Sequence, residues 1–225
     1  MAKSAKKTTI TSLEIQEAYI DHVLTNNEPP KSVYTFAKGL KISEADFYHF
    51  YASFSSIEKA VWAEMTTATI KKIKEQEVWA QYSSREKILS FFYTYLELLQ
   101  TRRSFIIYSL QHHPKKLSVP EVLSDAKPVY ESFAEDVINN GLDSGELADR
   151  KFFSKRYKDA LWVQFALIIN FWITDDSKGF EKTDEAIERG INLSFDLFQR
   201  SPIDNLFEYG KFLVRNGKLK EKMGV

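Results

Sequence analysis

No cysteine occurs among the 225 residues. Disulfides, thiolate metal ligands and cysteine nucleophiles are thereby excluded, and a reducing compartment suits the chain. Net charge is missing too, since 31 basic residues balance 31 acidic ones. No global field draws such a protein to nucleic acid, so any affinity for phosphate must come from where single charges are placed. No apolar run reaches the roughly 20 residues of a membrane span. The longest, 160–173, reads as a buried helix. The N-terminal MAKSAKKTTI is basic but no apolar stretch follows it, so a secretory signal is not expected and the expected location is the cytoplasm, with no membrane partner.

Catalytic signatures are equally sparse. Only four histidines are present, His22, His49, His112 and His113, and the adjacent pair would point about 100° apart on a helix, unsuited to one metal ion. The carboxylate pairs Glu135-Asp136 and Asp175-Asp176 fall at helix ends or on solvated faces. There is no glycine-rich phosphate loop, His-x-x-x-His pair or nucleophile elbow. The expectation is a protein that is not an enzyme, with no catalytic residues, no cofactor and no metal.

What is present is material for a helical core: 44% hydrophobic and 14% aromatic residues, with only 8 glycines and 6 prolines to interrupt them. Leu13, Ile15, Ala18, Tyr19, His22 and Val23 stripe a first helix, which Pro29 and Pro30 end. A short helix over 32–40, a tight turn at Lys41-Ile42 and a third helix capped by Ser43 follow, with Asp46 near its positive end. A fourth helix is expected to begin near Ser55 or Ser56, with Glu58 in its first turn, and to run to about Trp79. Ser83 or Ser84 caps the next, which reaches about Thr101. Further helices cover RRSFIIYSLQHH, 128–140 with Gly141 as a left-handed cap, 152–174 and 184–200. Ser201-Pro202 opens a short terminal helix. No strand-like alternation appears, so the fold class is all-α.

The segment 32–62, SVYTFAKGLKISEADFYHFYASFSSIEKAVW, carries the most specific pattern. Phe36-Ala37 form an apolar-Ala pair, Ile42-Ser43 end a turn, Tyr48 and Tyr51 are aromatic, and Ser53, Ile57 and Ala60 open the next helix. Ala37 is small enough for two short helices to cross closely, and Phe36, Ile42, Phe47 and Tyr51 can make one small core. This pattern resembles the helix-turn-helix of the TetR family. The resemblance implies a DNA-binding domain over 1–62 and a helical ligand-binding and dimerisation domain over 63–225. It also implies a double-stranded DNA operator as partner, with Lys31, Ser32, Ser43, Glu44, Ala45, Tyr48, His49 and Lys59 as contacts, helped by Lys3, Lys6, Lys7 and Lys38. Three features depart from the family pattern. Lys41 stands where the turn usually has glycine, Phe54 stands where a phosphate-contacting lysine is customary, and the third helix carries Glu44 and Asp46 but no Lys or Arg.

Further along, the likeness lies in layout and in the closing helix pair NFWITDDSKGFEKTDEAIERGINLSFDLF. In the family this pair packs against its copy, which implies a homodimer. Excess apolar surface places Phe165, Ile169, Trp172, Ile191 and Phe195 at that interface. Aromatic middle helices imply a cavity for a small hydrophobic ligand, with Phe91, Tyr95, Phe105, Tyr108 and Phe133 as walls and Gln111, His112 and Gln164 as polar handles. Two functions are open at this point: a transcriptional regulator, a repressor released by that effector, or a lipid- or isoprenoid-binding protein of the same fold that no longer reads DNA.

Overall fold

The computed structural model describes residues 10–111, 120–150 and 154–199. Among them lie nine α-helices and no strand, as the all-α reading requires. The helices are α1 (Ser12–Asn26), α2 (Val33–Gly39), α3 (Glu44–Phe50), α4 (Phe54–Lys74), α5 (Ser84–Gln100), α6 (Arg103–Gln111), α7 (Ala126–Asp143), α8 (Tyr157–Thr174) and α9 (Glu181–Phe198). Short 3-10 turns occupy Trp79–Gln81, Glu121–Leu123, Ser154–Arg156 and Lys178–Phe180. Among the described residues no helix is long and apolar enough to cross a membrane. The chain forms two compact units, residues 1–77 with 91–133 and residues 78–90 with 134–225.

Helix ends follow local side-chain chemistry. Thr11 accepts from the Glu14 backbone N–H while Glu14 accepts from the Thr11 backbone N–H, a reciprocal cap that starts α1. Asn27 closes that helix with a left-handed backbone, φ 55°. The buried face of α1 is Ile15, Gln16, Tyr19, Ile20 and Val23, with Leu13 exposed. Gln16 is tolerated inside because its amide donates to Tyr51 Oη at 2.7 Å and to Glu64 Oε1 at 2.8 Å. The fourth helix starts earlier than the sequence suggested, under Ser53 rather than Ser55 or Ser56. It also ends earlier, at Lys74, where Lys71, Lys72 and Lys74 face the negative pole of its dipole.

The expected stop at Gly141 is not observed. α7 runs through it, and the left-handed glycine comes at Gly145, φ 78°. Gly141 serves close approach instead, since a Cβ there would lie 2.5 Å from Ser84 Oγ and 2.8 Å from the Leu147 side chain. The expected helix over 152–174 begins at Tyr157, residues 151–153 lie outside the described set, and α9 opens three residues before Asp184. The expected terminal helix at Ser201-Pro202 also lies outside the described residues.

In the second unit α8 and α9 pack together as a hairpin. Its turn is built on Asp175, which is buried. One carboxylate oxygen accepts from the Ser177 N–H and hydroxyl at 2.9 and 2.7 Å, the other from the Thr183 N–H and hydroxyl at 2.9 and 2.6 Å. The Thr183 contacts satisfy donors in the first turn of α9 that the helix itself leaves open. Gly179 and Phe180 follow one another with φ of 65° and 64°, and the Phe180 ring packs on Trp172 at 5.9 Å. At the other end of α9 the Arg150 guanidinium donates to the carbonyls of Leu197 and Gln199, and Tyr157 stacks on Phe198 at 4.1 Å.

Burial works against the Asp175 charge, but the hydrogen bonds from Thr183 and Ser177 outweigh it and hold the carboxyl well below the ordinary aspartate range. A group whose folded pKa is depressed contributes stability that is present above its unfolded pKa and lost as pH falls below it. Thermal melts across a pH series should therefore show stability falling below about pH 4, the region of the ordinary Asp value. Asp175→Asn should melt lower at neutral pH and lose less on acidification, because its amide cannot accept all four donors.

Candidate nucleic-acid interface

Two short helices, α2 and α3, pack on one another across a four-residue turn. Ser32 Oγ accepts from the Thr35 N–H at 3.2 Å and begins α2. That helix ends in a Schellman arrangement: the Lys41 N–H donates to the Lys38 carbonyl at 3.1 Å and the Ile42 N–H to the Ala37 carbonyl at 3.0 Å. The geometry demands a left-handed residue at Lys41, and its φ is 60°. A side chain thus occupies a conformation that glycine adopts without cost. Ser43 then caps α3 in a reciprocal box with Asp46, whose carboxylate accepts from the Ser43 N–H and hydroxyl at 2.9 and 2.6 Å. Asp46 is committed to this cap, so of the two acids on α3 it is Glu44 that faces outward.

Beneath these helices Ala37 is fully buried, as a close crossing requires. The small core contains Phe36, Phe47 and Tyr51, with Ile42 half-buried at its edge. A fourth ring, at the start of α4, joins this core from its edge. Phe54 stacks on Tyr19 at 5.4 Å and meets the edges of Phe36 and Phe47 at 5.4 and 5.6 Å. The ring that stands in place of a customary phosphate-contacting lysine has been taken into the domain interior. An aromatic at a helix start, three residues after Tyr51, was the available signal.

The outer face carries the expected contact residues. Ser43, Glu44, Ala45, Tyr48 and His49 on α3 are exposed, as are Lys31 and Ser32 at the start of α2. Tyr34 is exposed beside them, with the Lys38 ammonium 6.0 Å from its ring centre. Lys59 differs from the other cations, because its ammonium lies 2.7 Å from Glu121 Oε1.

Behind this face, α4 ties α2 and α3 to the rest of the first unit. Glu58, on α4, is buried, and it accepts from the Tyr19 hydroxyl of α1 at 2.6 Å. Tyr108 of α6, itself buried, is near enough for the Glu58 charge to act on it. Burial, then the Glu58 carboxyl, push the Tyr19 hydroxyl far above the ordinary tyrosine range, and the same two causes raise Tyr108. One turn on, Trp62 Nε1 donates to Ser109 Oγ at 3.1 Å, and Thr66 Oγ1 donates to the Tyr95 hydroxyl at 3.2 Å.

Tyr95 stacks on Phe91 at 5.2 Å, and Phe91 on Phe133 at 5.3 Å. Three of the expected cavity walls therefore belong to one aromatic stack, and Phe105 and Tyr108 are buried on α6. Of the expected polar handles, Gln111 is exposed. Gln164 belongs to the second unit, where it accepts from Ser194 Oγ at 2.9 Å, and His112 lies outside the described residues. In that second unit Phe165, Ile169, Trp172, Ile191 and Phe195 are all buried within the α8–α9 core. The exposed apolar residues of the pair are their neighbours Val163, Leu167 and Phe171 on α8 and Leu193 and Leu197 on α9. Periodicity found the helices' apolar character but could not separate the inner stripe from the outer one, because α8 is apolar almost all round.

The sequence profile of the tetracyclin repressor-like C-terminal domain matches residues 87–213, more than half of the chain. No curated protein matches it in sequence. Among solved structures, the chain is similar to the fatty acid degradation regulator FadR from Bacillus halodurans, with 14% identity, a TM-score of 0.58, and 88% of this chain and 100% of that one covered. It is also similar to the TetR transcriptional regulator from Nitrosomonas europaea, with 14% identity, a TM-score of 0.57, and coverage of 81% and 97%. The TetR family regulator PfmR from Thermus thermophilus gives 17%, 0.50, 79% and 97% respectively. At these identities the likeness is one of fold.

Two substitutions test the construction of the reading domain. Lys41→Gly should stabilise the protein by about 0.5–1 kcal/mol, because the left-handed turn then carries no side-chain strain. Phe54→Ala should cost about 2 kcal/mol, less than a fully buried ring because Phe54 is only half-buried. Urea unfolding followed by circular dichroism measures both, and a destabilised Lys41→Gly would refute the assigned turn.

Proposed function

The chain belongs to the TetR family of transcriptional regulators, and from that premise we propose that it is a homodimeric DNA-binding repressor released by a small hydrophobic effector. The observation that carries the reading is the helix pair joined by a complete Schellman turn, with a Ser43-capped helix whose outer face is free of core duties. Residues 1–62 do the reading and the remainder binds the effector and the second copy. Ser43, Glu44, Ala45, Tyr48 and His49 meet base edges, and Lys31, Ser32 and Lys38 meet phosphates. With no Arg or Lys on the helix, Glu44 is the most selective contact, since a carboxylate only accepts and cytosine N4 is the donor it suits.

The effector enters the aromatic interior around Phe91, Tyr95, Phe105, Tyr108 and Phe133. The tie from Tyr95 to Thr66 and from Ser109 to Trp62 then passes any displacement to α4. A hydrophobic effector also suits a fold shared with a fatty acid degradation regulator. Half-sites one helical turn apart lie roughly 34 Å apart, so small movements of two reading heads are enough to lose register.

A second copy covers the outer stripe of α8 and α9. Leu167 and Leu193 are 63% and 62% exposed, a large apolar area to leave in water on an isolated chain. Phe165, Ile169, Trp172, Ile191 and Phe195 back this interface from inside.

A second reading, a lipid- or isoprenoid-binding protein without DNA recognition, is favoured by one observation: Phe54 spends the customary lysine position on the core. Selection from random duplex DNA separates the two. A palindromic motif supports the regulator, whereas repeated failure by folded dimer, with and without lipid extract, supports the binding protein. For the interface, Leu167→Glu with Leu193→Glu should give a folded monomer in sedimentation velocity. An undisturbed dimer would move the interface elsewhere. Glu44→Ala should relax base preference more than it lowers affinity, as read by the same selection.

A further inference from the structure

Among the cations near the reading helices, Lys31, Lys38 and Lys41 are exposed, but Lys59 is held. Its side chain is only 21% exposed, and its ammonium lies 2.7 Å from Glu121 Oε1, whose own side chain is 73% exposed. Glu121 opens the 3-10 turn Glu121–Leu123, which packs on α4. The next two residues, Val122 and Leu123, are buried. Those two apolar anchors hold the turn against α4 and keep the Glu121 carboxylate within reach of Lys59.

Carboxylate and phosphate oxygens offer an ammonium the same acceptor chemistry. A partly exposed ion pair is weak enough for one to replace the other. The setting makes a single cation count, since the chain is neutral overall and the outward acid on α3 repels phosphate. Resting on the DNA-binding reading above, we infer that Glu121 is an internal competitor for the DNA backbone. It latches Lys59 and withholds one phosphate contact from DNA of arbitrary sequence. A phosphate contact carries no base information, so affinity for DNA of every sequence falls while base contacts are untouched, and binding depends more heavily on those base contacts. Because the latch sits on the segment between α6 and α7, an effector that shifts this turn against α4 also changes how firmly Lys59 is held.

Binding of the full-length protein to a labelled duplex of random sequence, followed by fluorescence anisotropy over a salt series, tests the latch. Wild type, Glu121→Gln, Lys59→Ala and the double variant are compared, with melting curves to verify that each is folded. Glu121→Gln should tighten non-specific binding roughly two- to five-fold. It should also steepen the plot of log affinity against log salt by about 0.9, one added phosphate contact. Both gains should vanish in the Lys59→Ala background. A gain of equal size in that background would show bulk charge only and overturn the inference, as would no gain at all. Wild type that binds while Glu121→Gln behaves identically removes the latch and leaves DNA reading in place. Binding that appears only in Glu121→Gln supports the latch, and no binding by any folded variant overturns latch and DNA reading together.

Discussion

A carboxyl group taken out of water needs donors, and Glu58 on α4 obtains one from another helix. Tyr19 comes from α1 and reaches Glu58 on α4 at 2.6 Å. Losing the Tyr19 hydroxyl takes a donor from a buried carboxylate, which costs more than the bond itself contributes. The helix-turn-helix shares its compact unit with helices from further along the chain. The unit that contains it also takes in residues 91–133, the part of the chain that brings Tyr95, Tyr108 and Ser109 to α4. Reading face and aromatic interior are joined by polar contacts that have defined lengths and directions, unlike the apolar packing around them.

Much of the architecture was legible because helix chemistry is local. Ser32 and Ser43, each three residues before a backbone N–H they could accept, marked helix starts that the structure contains. Errors arose where a signal has two physical meanings. Gly141 was read as a stop, but a glycine is also what lets α7 approach Ser84 and Leu147. Ser55 and Ser56 looked like caps, yet Ser53 holds that role and Ser56 completes its box.

Candidate contacts were legible to different depths. The exposed face of α3 followed from its cap and period, and its residues are where that pattern puts them. In the sequence Phe54 reads as a missing cation, whereas its half-buried ring packs on the domain core, a role that depends on Tyr19, Phe36 and Phe47 arriving from three separate segments. Charge and the family likeness both point to Lys59 as a phosphate contact. Its partner lies 62 residues away in sequence, beyond the reach of any local pattern. The inner and outer stripes of α8 and α9 were likewise inseparable until the packing partner of each helix was known.

The Asp175 clamp bears on the order in which the molecule assembles. Its most distant donor is only eight residues away, so closing it sacrifices little chain entropy. Helices of 18 residues on either side are brought together by contacts that are near neighbours along the chain, the kind that form fastest in folding. The α8–α9 hairpin is thus suited to early formation, with its outward leucines displayed before slower, more distant pairings such as Lys59 with Glu121 are made. A surface of that kind is an aggregation hazard for as long as it waits uncovered, and folding yield should depend on how soon another apolar surface meets it.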